Sequence, residues 1–246
     1  MKTLVIIPSR LSASRLPGKP LLKINGLSII SHVFKKAVEA DIGEVYVATE
    51  DKEILEDVHK NGGQAILTDN THKTGTDRIF DALNRLGKSD IELVMNLQGD
   101  EPLMNIEDIR KLHSLMKKTK SNLGTLASSI SDKNLYKNQN IVKIITRENL
   151  NVSEFPEAID FMRKSIDIDK EENIYHHLGI YCYQPKTLQK FVSLSRSKNE
   201  IENRLEQLRA LDNNMKINVA LAKSSPIGVD TKEDFVAIKK IMEYKS

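Results

Sequence analysis

The sequence predicts an α/β fold with a mostly parallel central sheet and a smaller β-rich subdomain. Short apolar runs alternate with amphipathic helical segments over roughly the first hundred residues, and the pattern becomes more strand-like from residue 123. Because neighbouring parallel strands need a crossover connection, this alternation favours parallel strands covered by helices. At 246 residues the chain can bury a substantial core as one large domain, expected to span 1–246 with a β-rich insertion at about 123–184.

The first elements are a strand, a loop and a helix. Residues 3–7 form a continuous apolar run typical of a buried strand, and residues 28–40 carry apolar side chains at helical spacing. Asn61-Gly62-Gly63 predicts a helix stop followed by a turn. The alternation continues through strands at 44–48, 64–67 and 92–97 and helices at 52–60, 77–86 and 106–118.

The second half of the chain is predicted to add a mixed sheet and two closing helices. Strands are expected at 123–130, 141–146, 175–183 and 216–222, and helices at 200–211 and 231–244. No repeat, heptad array or low-complexity segment interrupts this pattern.

Composition favours an ordinary globular protein, with 39% hydrophobic and 29% charged residues. The amino-terminal apolar run is too short for a signal peptide, so the chain is expected in the cytoplasm. The single cysteine, Cys182, excludes an internal disulfide and is interpreted as a core residue. The first acidic residue is Glu39, so the amino-terminal segment is locally cationic and favours a compact polyanion such as a triphosphate over nucleic acid or a membrane.

The loop after the first strand has the residues that a triphosphate site needs. Arg10 and Arg15 can each place a guanidinium fork on phosphate oxygens, Lys19 adds a compact charge, and Gly18 lets the backbone approach the ligand. Open α/β sheets bind ligands at the carboxyl ends of their strands, where this loop lies. The loop is not a Walker loop, because it lacks the upstream glycine and because Pro20 follows Gly18-Lys19 where a Walker loop has the hydroxyl residue that binds magnesium.

Two carboxylates are candidates for magnesium. Asp100 follows an apolar strand in Gln98-Gly99-Asp100-Glu101-Pro102, and Asp230 lies in Gly228-Val229-Asp230-Thr231. Magnesium at a triphosphate prefers one or two carboxylates plus phosphate oxygens and water. Asp230 is equally compatible with the N-cap of the last helix, with Glu233 completing a capping box.

These segments together resemble the 3-deoxy-manno-octulosonate cytidylyltransferases, the CMP-Kdo synthetase family. The family pattern begins with a strand and R-x4-R-L-P-G-K-P-L, which Arg10, Arg15 and Lys19 match. Further matches, in the family's order, are Thr74-Gly75-Thr76-Asp77-Arg78, the Gln98–Pro102 turn, His177-Leu178-Gly179-Ile180-Tyr181, Leu205-Glu206-Gln207-Leu208-Arg209 and Gly228-Val229-Asp230-Thr231. The resemblance implies a Rossmann-like nucleotidyltransferase fold, a homodimer, and activation of Kdo by CTP in lipopolysaccharide synthesis with Mg²⁺ as cofactor.

The resemblance also implies site residues. Arg10, Lys19, Asp100 and Asp230 would be catalytic, with the two aspartates holding the metal. Nucleotide-binding roles fall to Pro8, Ser9, Arg10, Arg15, Lys19, Thr74, Arg78 and Gln98. Sugar-binding roles fall to Gln98, Arg163, His177, Tyr181, Glu206 and Gln207. From residue type alone, His177 is interpreted as a core histidine in a strand and Glu206 as part of an exposed helix face.

One segment departs from the family pattern. Where the family has A-L-Y-F-S-R followed by I-P, this chain has Ala158 to Arg163 and then Ile166-Asp167, so Asp160 and Met162 replace a tyrosine and a serine. The alternatives left open are a related ulosonic acid, such as an amino-Kdo or a sialic-acid-like sugar, and a catalytically silent nucleotide-binding protein. A nucleic-acid-binding module is disfavoured because the cations cluster in one phosphate-sized loop.

Overall fold

The computed structural model describes residues 2–12, 15–165 and 173–244. The chain divides into two compact units, one formed by Met1–Glu107 with Pro226–Ser246 and the other by Asp108–Ser225. The strands are β1 (Lys2–Ser9), β2 (Lys23–Ile24), β3 (Leu27–Ser28), β4 (Glu44–Thr49), β5 (Ala65–Leu67), β6 (Ile91–Asn96), β7 (Leu123–Ser128), β8 (Lys143–Thr146), β9 (Ala158–Met162), β10 (Ile174–Tyr183) and β11 (Asn218–Leu221). The α-helices are α1 (Ile29–Glu39), α2 (Lys52–Lys60), α3 (Gly75–Leu86), α4 (Ile106–Thr119), α5 (Asn134–Lys137), α6 (Pro185–Ser193), α7 (Lys198–Asn203), α8 (Leu208–Asp212) and α9 (Lys232–Tyr244).

The first unit contains parallel strands in the order β6-β1-β4-β5. Ile6 of β1 lies opposite Tyr46 on one side and Asn96 on the other, so β1 is central among them. Residues 4–7 of β1 are fully buried, as the apolar run predicts for a strand covered on both faces. Because β1 and β6 run in the same direction, their carboxyl ends meet at one edge, and the loops there can share a ligand.

An apolar cluster fixes the amino-terminal loop of the first unit against its carboxyl-terminal helix. Ile24, Ile29, Val229 and Ile238 are buried together, and Leu16, Leu22 and Phe235 are among the partly buried side chains packed against them. Leu16 and Leu22 flank Lys19, whereas Val229 precedes Asp230. Burial of these apolar side chains, worth about 1.5–3 kcal/mol each, therefore brings two distant, charged segments together.

The second unit has a mixed sheet. β7 pairs in parallel with β11 and antiparallel with β10, and β8 pairs antiparallel with both β10 and β9. Cys182 of β10 is fully buried, in agreement with its interpretation as a core residue. Burial raises the pKa of its thiol far above the usual range, so this cysteine is chemically quiet. The β-rich stretch predicted at 123–184 lies wholly within this unit.

The predicted helix at 200–211 is wrong in one respect, because the chain forms two short helices there. α7 ends at Asn203, Arg204 adopts the left-handed conformation with φ 53°, and α8 begins at Leu208. Glu206 and Gln207 consequently lie in the connection between helices and not on a continuous helix face. The elements that were not predicted are β2, β3, β9, α5 and α6. The remaining strands and long helices agree with the sequence prediction to within a few residues.

Candidate active site

A cavity of about 360 Å³ opens at the carboxyl ends of β1 and β6. Its lining combines cations, carboxylates and small residues, namely Pro8, Ser9, Arg10, Arg15, Lys19, Pro20, His72, Lys73, Thr74, Gly75, Arg78, Gln98, Gly99, Asp100 and Asp230. Gly99 permits the close approach of the two strand ends, because a Cβ there would lie 2.8 Å from the carbonyl oxygen of Pro8. The sequence prediction that this sheet edge carries the ligand site agrees with the position of the cavity.

The cationic loop is closed at its base by backbone contacts. The Gly18 amide donates to the carbonyl of Leu11 at 3.0 Å, and the Leu11 amide donates to Asp51 Oδ2 at 2.7 Å. Asp51 occupies the N-cap position of α2, yet its side chain makes no cap hydrogen bond and holds the loop instead. Gly18 has φ 72°, which a residue with a Cβ rarely adopts. These contacts hold Leu11 and Gly18, which are the neighbours in sequence of the cavity-lining residues Arg10 and Lys19.

The ammonium group of Lys19 lies between the two predicted metal carboxylates. Its Nζ is 2.5 Å from Asp100 Oδ2 and 3.3 Å from Asp230 Oδ1, and it also donates to the carbonyl of Val229 at 2.8 Å. Arg15 Nη2 lies 2.9 Å from the other oxygen of Asp230. The Val229 amide donates to the carbonyl of Asp100 at 2.9 Å, so the backbones that carry the two carboxylates are joined directly.

The carboxylate of Asp230 is not needed as a helix cap. Thr231 Oγ1 accepts from the Asp234 amide at 3.1 Å, and Asp234 Oδ2 accepts from the Thr231 amide at 2.8 Å. This reciprocal pair is the capping box of α9. The alternative that Asp230 caps the helix together with Glu233 is therefore wrong, and the side chain of Asp230 is directed to Lys19 and Arg15.

Glu101 adds a third carboxyl group beside the two aspartates. Its Oε2 is buried and has no hydrogen-bond partner among the described residues. Burial, reinforced by the charges of Asp100 and Asp230 and opposed by Lys19, raises the pKa of Glu101 to about 8. Because burial is the largest cause of this shift, the carboxyl group of Glu101 stays mostly neutral at pH 7. Asp100, Asp230 and Glu101 together provide the carboxyl oxygens that a divalent cation such as Mg²⁺ prefers as ligands.

Thr74 and Arg78, predicted to bind nucleotide, border the cavity through α3. Thr74 is the N-cap of this helix and forms a capping box with Asp77. The guanidinium group of Arg78 is buried, donates to Thr68 Oγ1 at 2.6 Å and forms an ion pair with Glu50. These contacts anchor α3 beneath the cavity and hold the guanidinium in a fixed position.

Of three further cavity residues, Ser9 was predicted as a site residue, whereas His72 and Lys73 were not. The hydroxyl of Ser9 is buried and has no hydrogen-bond partner among the described residues, which leaves it available to a ligand. His72 and Lys73 line the cavity but were not predicted as site residues. Their position directly before the Thr74–Arg78 motif was the available signal, since the residues entering a helix N-terminus share its exposed edge.

The second unit gathers most of the predicted sugar-binding residues. Tyr181, Glu206 and Gln207 border a small cavity together with Leu123, Tyr183, Phe191, Ala210 and Ile217. The ring of His177 lies 5.5 Å from that of Tyr181 and 5.0 Å from that of Phe161, measured between centroids. Burial raises the pKa of Tyr181 well above its usual value, with smaller contributions from Tyr183 and Glu206, so its hydroxyl stays protonated.

The other two residues predicted to bind the sugar, Arg163 and Gln98, do not line the small cavity. Arg163 follows β9, and its Nη1 donates to the carbonyl of Asn140 at 3.1 Å. Gln98 belongs to the first unit, where it lines the cavity at the end of β6. In the segment that departs from the family pattern, residues 166–167 lie outside the described residues, whereas Asp160 is on β9 and accepts from the Phe161 amide.

Comparison with known proteins adds to this geometry. The cytidylyltransferase family model matches residues 4–217 of the chain. A 3-deoxy-manno-octulosonate cytidylyltransferase from Thermodesulfovibrio yellowstonii is 40% identical, with 98% of each chain covered. The enzyme of the same name from Afipia carboxidovorans is also 40% identical, over 98% of this chain and 96% of its own. The chain belongs to the 3-deoxy-manno-octulosonate cytidylyltransferase family.

Solved structures agree with membership of the 3-deoxy-manno-octulosonate cytidylyltransferase family. A CMP:2-keto-3-deoxy-manno-octonic acid synthetase complexed with CTP superposes with a TM-score of 0.90 at 31% identity, and both chains are covered completely. UDP-glucose pyrophosphorylase has a TM-score of 0.73 at 15% identity, which shows a shared fold alone. The predicted α/β nucleotidyltransferase fold is therefore confirmed. Among the helices that the structure describes, none combines the length and apolar character of a bilayer-spanning segment.

Proposed function

We propose that this chain transfers the cytidylyl group of CTP to 3-deoxy-D-manno-octulosonate (Kdo), giving CMP-Kdo and pyrophosphate. The observation that carries the proposal is the convergence of Lys19 with Asp100 and Asp230 beside a cationic loop, in a cavity large enough for a nucleotide. Family membership supports the same reaction, because the relatives bear the name of that activity. A silent nucleotide-binding protein would have no use for both carboxylates and the full set of cations.

The cations of the first unit hold the triphosphate. Arg10 and Arg15 place guanidinium groups at the mouth of the cavity, where they bind phosphate oxygens in pairs. Lys19, whose side chain is only 14% exposed, lies deeper and neutralises charge that develops on the leaving pyrophosphate. Pro8, Ser9, Thr74 and Gln98 line the remaining walls and fix the nucleotide by polar and packing contacts.

Asp100 and Asp230 are the residues that would hold Mg²⁺. Their carboxylates approach the same ammonium group, and the orphaned Oε2 of Glu101 lies in the adjoining segment. Bound Mg²⁺ supplies charge neutralisation at the phosphate oxygens and lowers the pKa of a hydroxyl group that it contacts. Lys19 is a counter-charge to both aspartates.

The transfer is a direct in-line displacement. The anomeric hydroxyl oxygen of Kdo forms a bond to the α-phosphorus as the bond from that phosphorus to the pyrophosphate oxygen breaks. The hydroxyl proton leaves to water or to a carboxylate, with no general base assigned, and the configuration at phosphorus inverts. The protein contributes mainly alignment and charge stabilisation, so no covalent enzyme intermediate is required. Arg163, His177, Tyr181, Glu206, Gln207 and Gln98 are proposed to bind the sugar.

The decisive experiment measures pyrophosphate release and nucleotide-sugar formation from CTP, MgCl₂ and Kdo by the full-length chain. The matched variants are Asp100→Asn and Asp90→Asn, since Asp90 carries an exposed carboxylate that forms an ion pair with Lys2. We expect turnover by the wild type and by Asp90→Asn, and its near loss in Asp100→Asn. Absence of turnover in the wild type with every acid sugar tested contradicts the enzymatic proposal.

Parallel reactions with an amino-Kdo and with sialic acid test the choice of sugar. We expect Kdo to have the highest kcat/KM. A higher value for one of the other sugars would keep the reaction and replace the substrate, and Asp160 on β9 would then be the first residue to exchange for tyrosine.

Assembly and location complete the proposal. We propose a homodimer in the cytoplasm that supplies CMP-Kdo for lipopolysaccharide synthesis. The second unit exposes the apolar side chains of Val152, Ile159 and Ile201, which supports a contact between subunits there. Light scattering on the purified chain should give twice the monomer mass, and Ile159→Glu should lower it. A monomeric mass at micromolar concentration contradicts the dimer.

A further inference from the structure

Strand β10 is interrupted next to the proposed sugar residues. Its pairing with β7 shifts between Leu178 and Tyr181, so the regular ladder is broken at this point. The carbonyl oxygens of Leu178 and Ile180 both approach Thr125 Oγ1 on β7, at 3.2 and 2.7 Å. Thr125 is fully buried, and its hydroxyl therefore satisfies carbonyl groups that the interrupted ladder leaves without their usual partners.

The hydroxyl of Thr125 has one hydrogen atom, and the geometry fixes where it lies. A carbonyl oxygen can only accept, so the separation of 2.7 Å from Ile180 O requires the hydroxyl hydrogen between the two oxygens. With Leu178 O as the second acceptor nearby, the hydroxyl has no hydrogen left to donate elsewhere.

His177 Nε2 lies 3.0 Å from the same Thr125 oxygen. Since that oxygen has already donated its hydrogen, the short contact requires Nε2 to carry a proton and donate it. Burial, with smaller contributions from His176 and Arg163, lowers the pKa of His177 to about 3, so the ring is neutral at pH 7. A neutral imidazole protonated at Nε2 has an unprotonated Nδ1, which is a hydrogen-bond acceptor.

The surroundings of the ring hold it in this orientation. Phe161 packs edge-on against His177 with an interplanar angle of 82°, and Tyr181 packs at 52°. Among the described residues, none forms a hydrogen bond with Nδ1 of His177. Tyr181, whose ring packs against His177, borders the small cavity with Glu206 and Gln207, so the imidazole ring lies next to residues proposed to bind the sugar.

We propose that Thr125 is a positioning residue that fixes His177 as the neutral tautomer protonated at Nε2, so that Nδ1 accepts a hydrogen bond from a sugar hydroxyl group. This inference rests on the proposed function, because it assigns the hydroxyl group to Kdo. His177 then contributes nothing to binding the sugar carboxylate, which requires a cation such as the guanidinium group of Arg163. The tautomer itself is a property of the free protein and can be measured without any sugar.

The first test is the nitrogen NMR spectrum of the full-length protein labelled at histidine with ¹⁵N. Long-range proton–nitrogen correlations distinguish a protonated from an unprotonated ring nitrogen, and the His177 signals are assigned by their loss in His177→Phe. We expect a neutral ring with the proton on Nε2 at pH 7. A proton on Nδ1, or a charged ring, overturns the inference even if the enzyme forms CMP-Kdo.

The second test replaces the hydroxyl that fixes the tautomer. Thr125→Val should mix the two tautomers and raise KM for Kdo about tenfold, the effect of one hydrogen bond, with KM for CTP unchanged. Thr125→Ser keeps the hydroxyl and should restore both readouts. Thr146→Val is the matched control, because Thr146 is equally buried and its hydroxyl donates to Glu148 O at 2.7 Å away from the histidine.

The outcomes separate this inference from the proposed function. If Thr125→Val keeps the wild-type spectrum and the wild-type KM for Kdo, Thr125 has no positioning role and the inference is overturned. If Thr125→Val fails to fold, the wild-type spectrum and Thr125→Ser still decide the tautomer. If the wild type shows the expected tautomer but has no activity with Kdo, the proposed function fails while the tautomer assignment stands.

Discussion

The cavity residues of the first unit and the proposed sugar-binding residues of the second unit differ in charge and in exposure. In the first unit, Arg15 and Asp230 form an ion pair while 60% and 45% of their side chains remain exposed, beside an open cavity. In the second unit, His177 and Tyr181 are held close to neutral side chains, and His177 is 7% exposed. The first group is built mainly from charged side chains that pair with one another, whereas His177 and Tyr181 of the second group are neutral rings that pack against each other.

The difference follows from what each group is proposed to bind. The ion pair of Arg15 with Asp230 is exposed and contributes little to stability, so the proposed triphosphate can replace Asp230 as the partner of Arg15 at low cost. Buried neutral groups cannot exchange partners with water, and they therefore present a fixed hydrogen-bond pattern to a sugar. Changes in the first unit should mainly affect catalysis, whereas changes in the second should affect stability and sugar affinity.

The largest expected effect is that of Asp100→Asn on turnover. Asp100 is one of the two carboxylates proposed to hold Mg²⁺, so its loss should misalign the phosphates and lower kcat/KM about 1,000-fold, or about 4 kcal/mol of transition-state stabilisation. The free energy of unfolding should change by less than about 1 kcal/mol, because the amide has the shape of the carboxylate and Lys19 keeps Asp230 and the carbonyl of Val229 as partners. Steady-state kinetics and urea unfolding measure the two quantities on the same preparation.

Asp90→Asn is the control for this prediction, since its carboxylate lies in an exposed ion pair remote from the cavity lining. A variant Asp100→Asn that is strongly destabilised, or that keeps wild-type kcat/KM, would remove the distinction between the two groups.

The reverse behaviour is expected of Glu200→Gln. Glu200 is 1% exposed and binds Arg209 through two hydrogen bonds of 2.8 and 2.7 Å, while Arg196 donates a third. Arg209 in turn lies over the ring of Phe191, which borders the small cavity. Removing the charge of Glu200 leaves the buried guanidinium of Arg209 with the more distant carboxylate of Glu206, at 3.8 Å, and should cost about 3 kcal/mol of unfolding free energy.

Glu202→Gln on the same helix is the matched control for Glu200→Gln, because its carboxylate is exposed and 3.8 Å from Lys198. We expect the control to unfold at the wild-type urea concentration, with KM for CTP unchanged in both variants. Equal stability of the two variants would contradict the picture of a buried, fixed second group.

Glu206→Gln tests sugar affinity in the second group. Loss of one charged hydrogen-bond acceptor should raise KM for Kdo about 20-fold, the equivalent of about 1.8 kcal/mol, with KM for CTP unchanged. Initial rates at saturating CTP measure the first constant, and initial rates at saturating Kdo measure the second. An increase in KM for CTP alone would move Glu206 from the sugar to the nucleotide.

Most strands and helices of the first unit were predicted from the sequence, because the apolar residues in each have a clear strand or helix pattern. Buried parallel strands appear as continuous apolar runs, and α2 was predicted with the observed bounds. The break at Arg204 was missed because nothing in its residue type indicates a left-handed conformation. The missed helix α6 did carry a signal, since Pro185 begins it and Leu188 and Phe191 follow at helical spacing.

The site was predictable where chemistry requires a residue type, and not where packing decides. Arg15, Lys19, Asp100 and Asp230 were predicted from charge and motif, and the structure brings them together. Thr125 was not predicted, because its role depends on the interrupted pairing of a strand more than fifty residues away. The neutral state of Glu101 likewise follows only from the burial of its side chain.

The smallest expected effect is that of Asp81→Asn on stability. Asp81 Oδ2 lies 2.8 Å from His72 Nε2 and accepts from the Asp69 amide, and its other oxygen accepts from Arg85 Nε at 2.7 Å. Burial acts to raise the pKa of Asp81, but these hydrogen bonds outweigh it and lower the pKa from 3.8 to about 2. The side chains that surround Asp81 include Asp69 and His72, a set of residue types that can bind a metal ion. Arg85 forms ion pairs with both aspartates, so their charges are already compensated.

The sign of the pH dependence follows from that depressed pKa. The folded state binds the ionised carboxylate better than the unfolded state does, so the contribution is complete above about pH 4 and is lost as the pH falls towards 2. After screening by water, Asp81→Asn should lower the free energy of unfolding by about 1 kcal/mol at pH 6. Urea midpoints of variant and wild type should converge between pH 4 and pH 2. If the difference in urea midpoint stays constant over this range, the substitution has changed packing and not charge. This charged cluster of the first unit would then behave like the buried groups of the second.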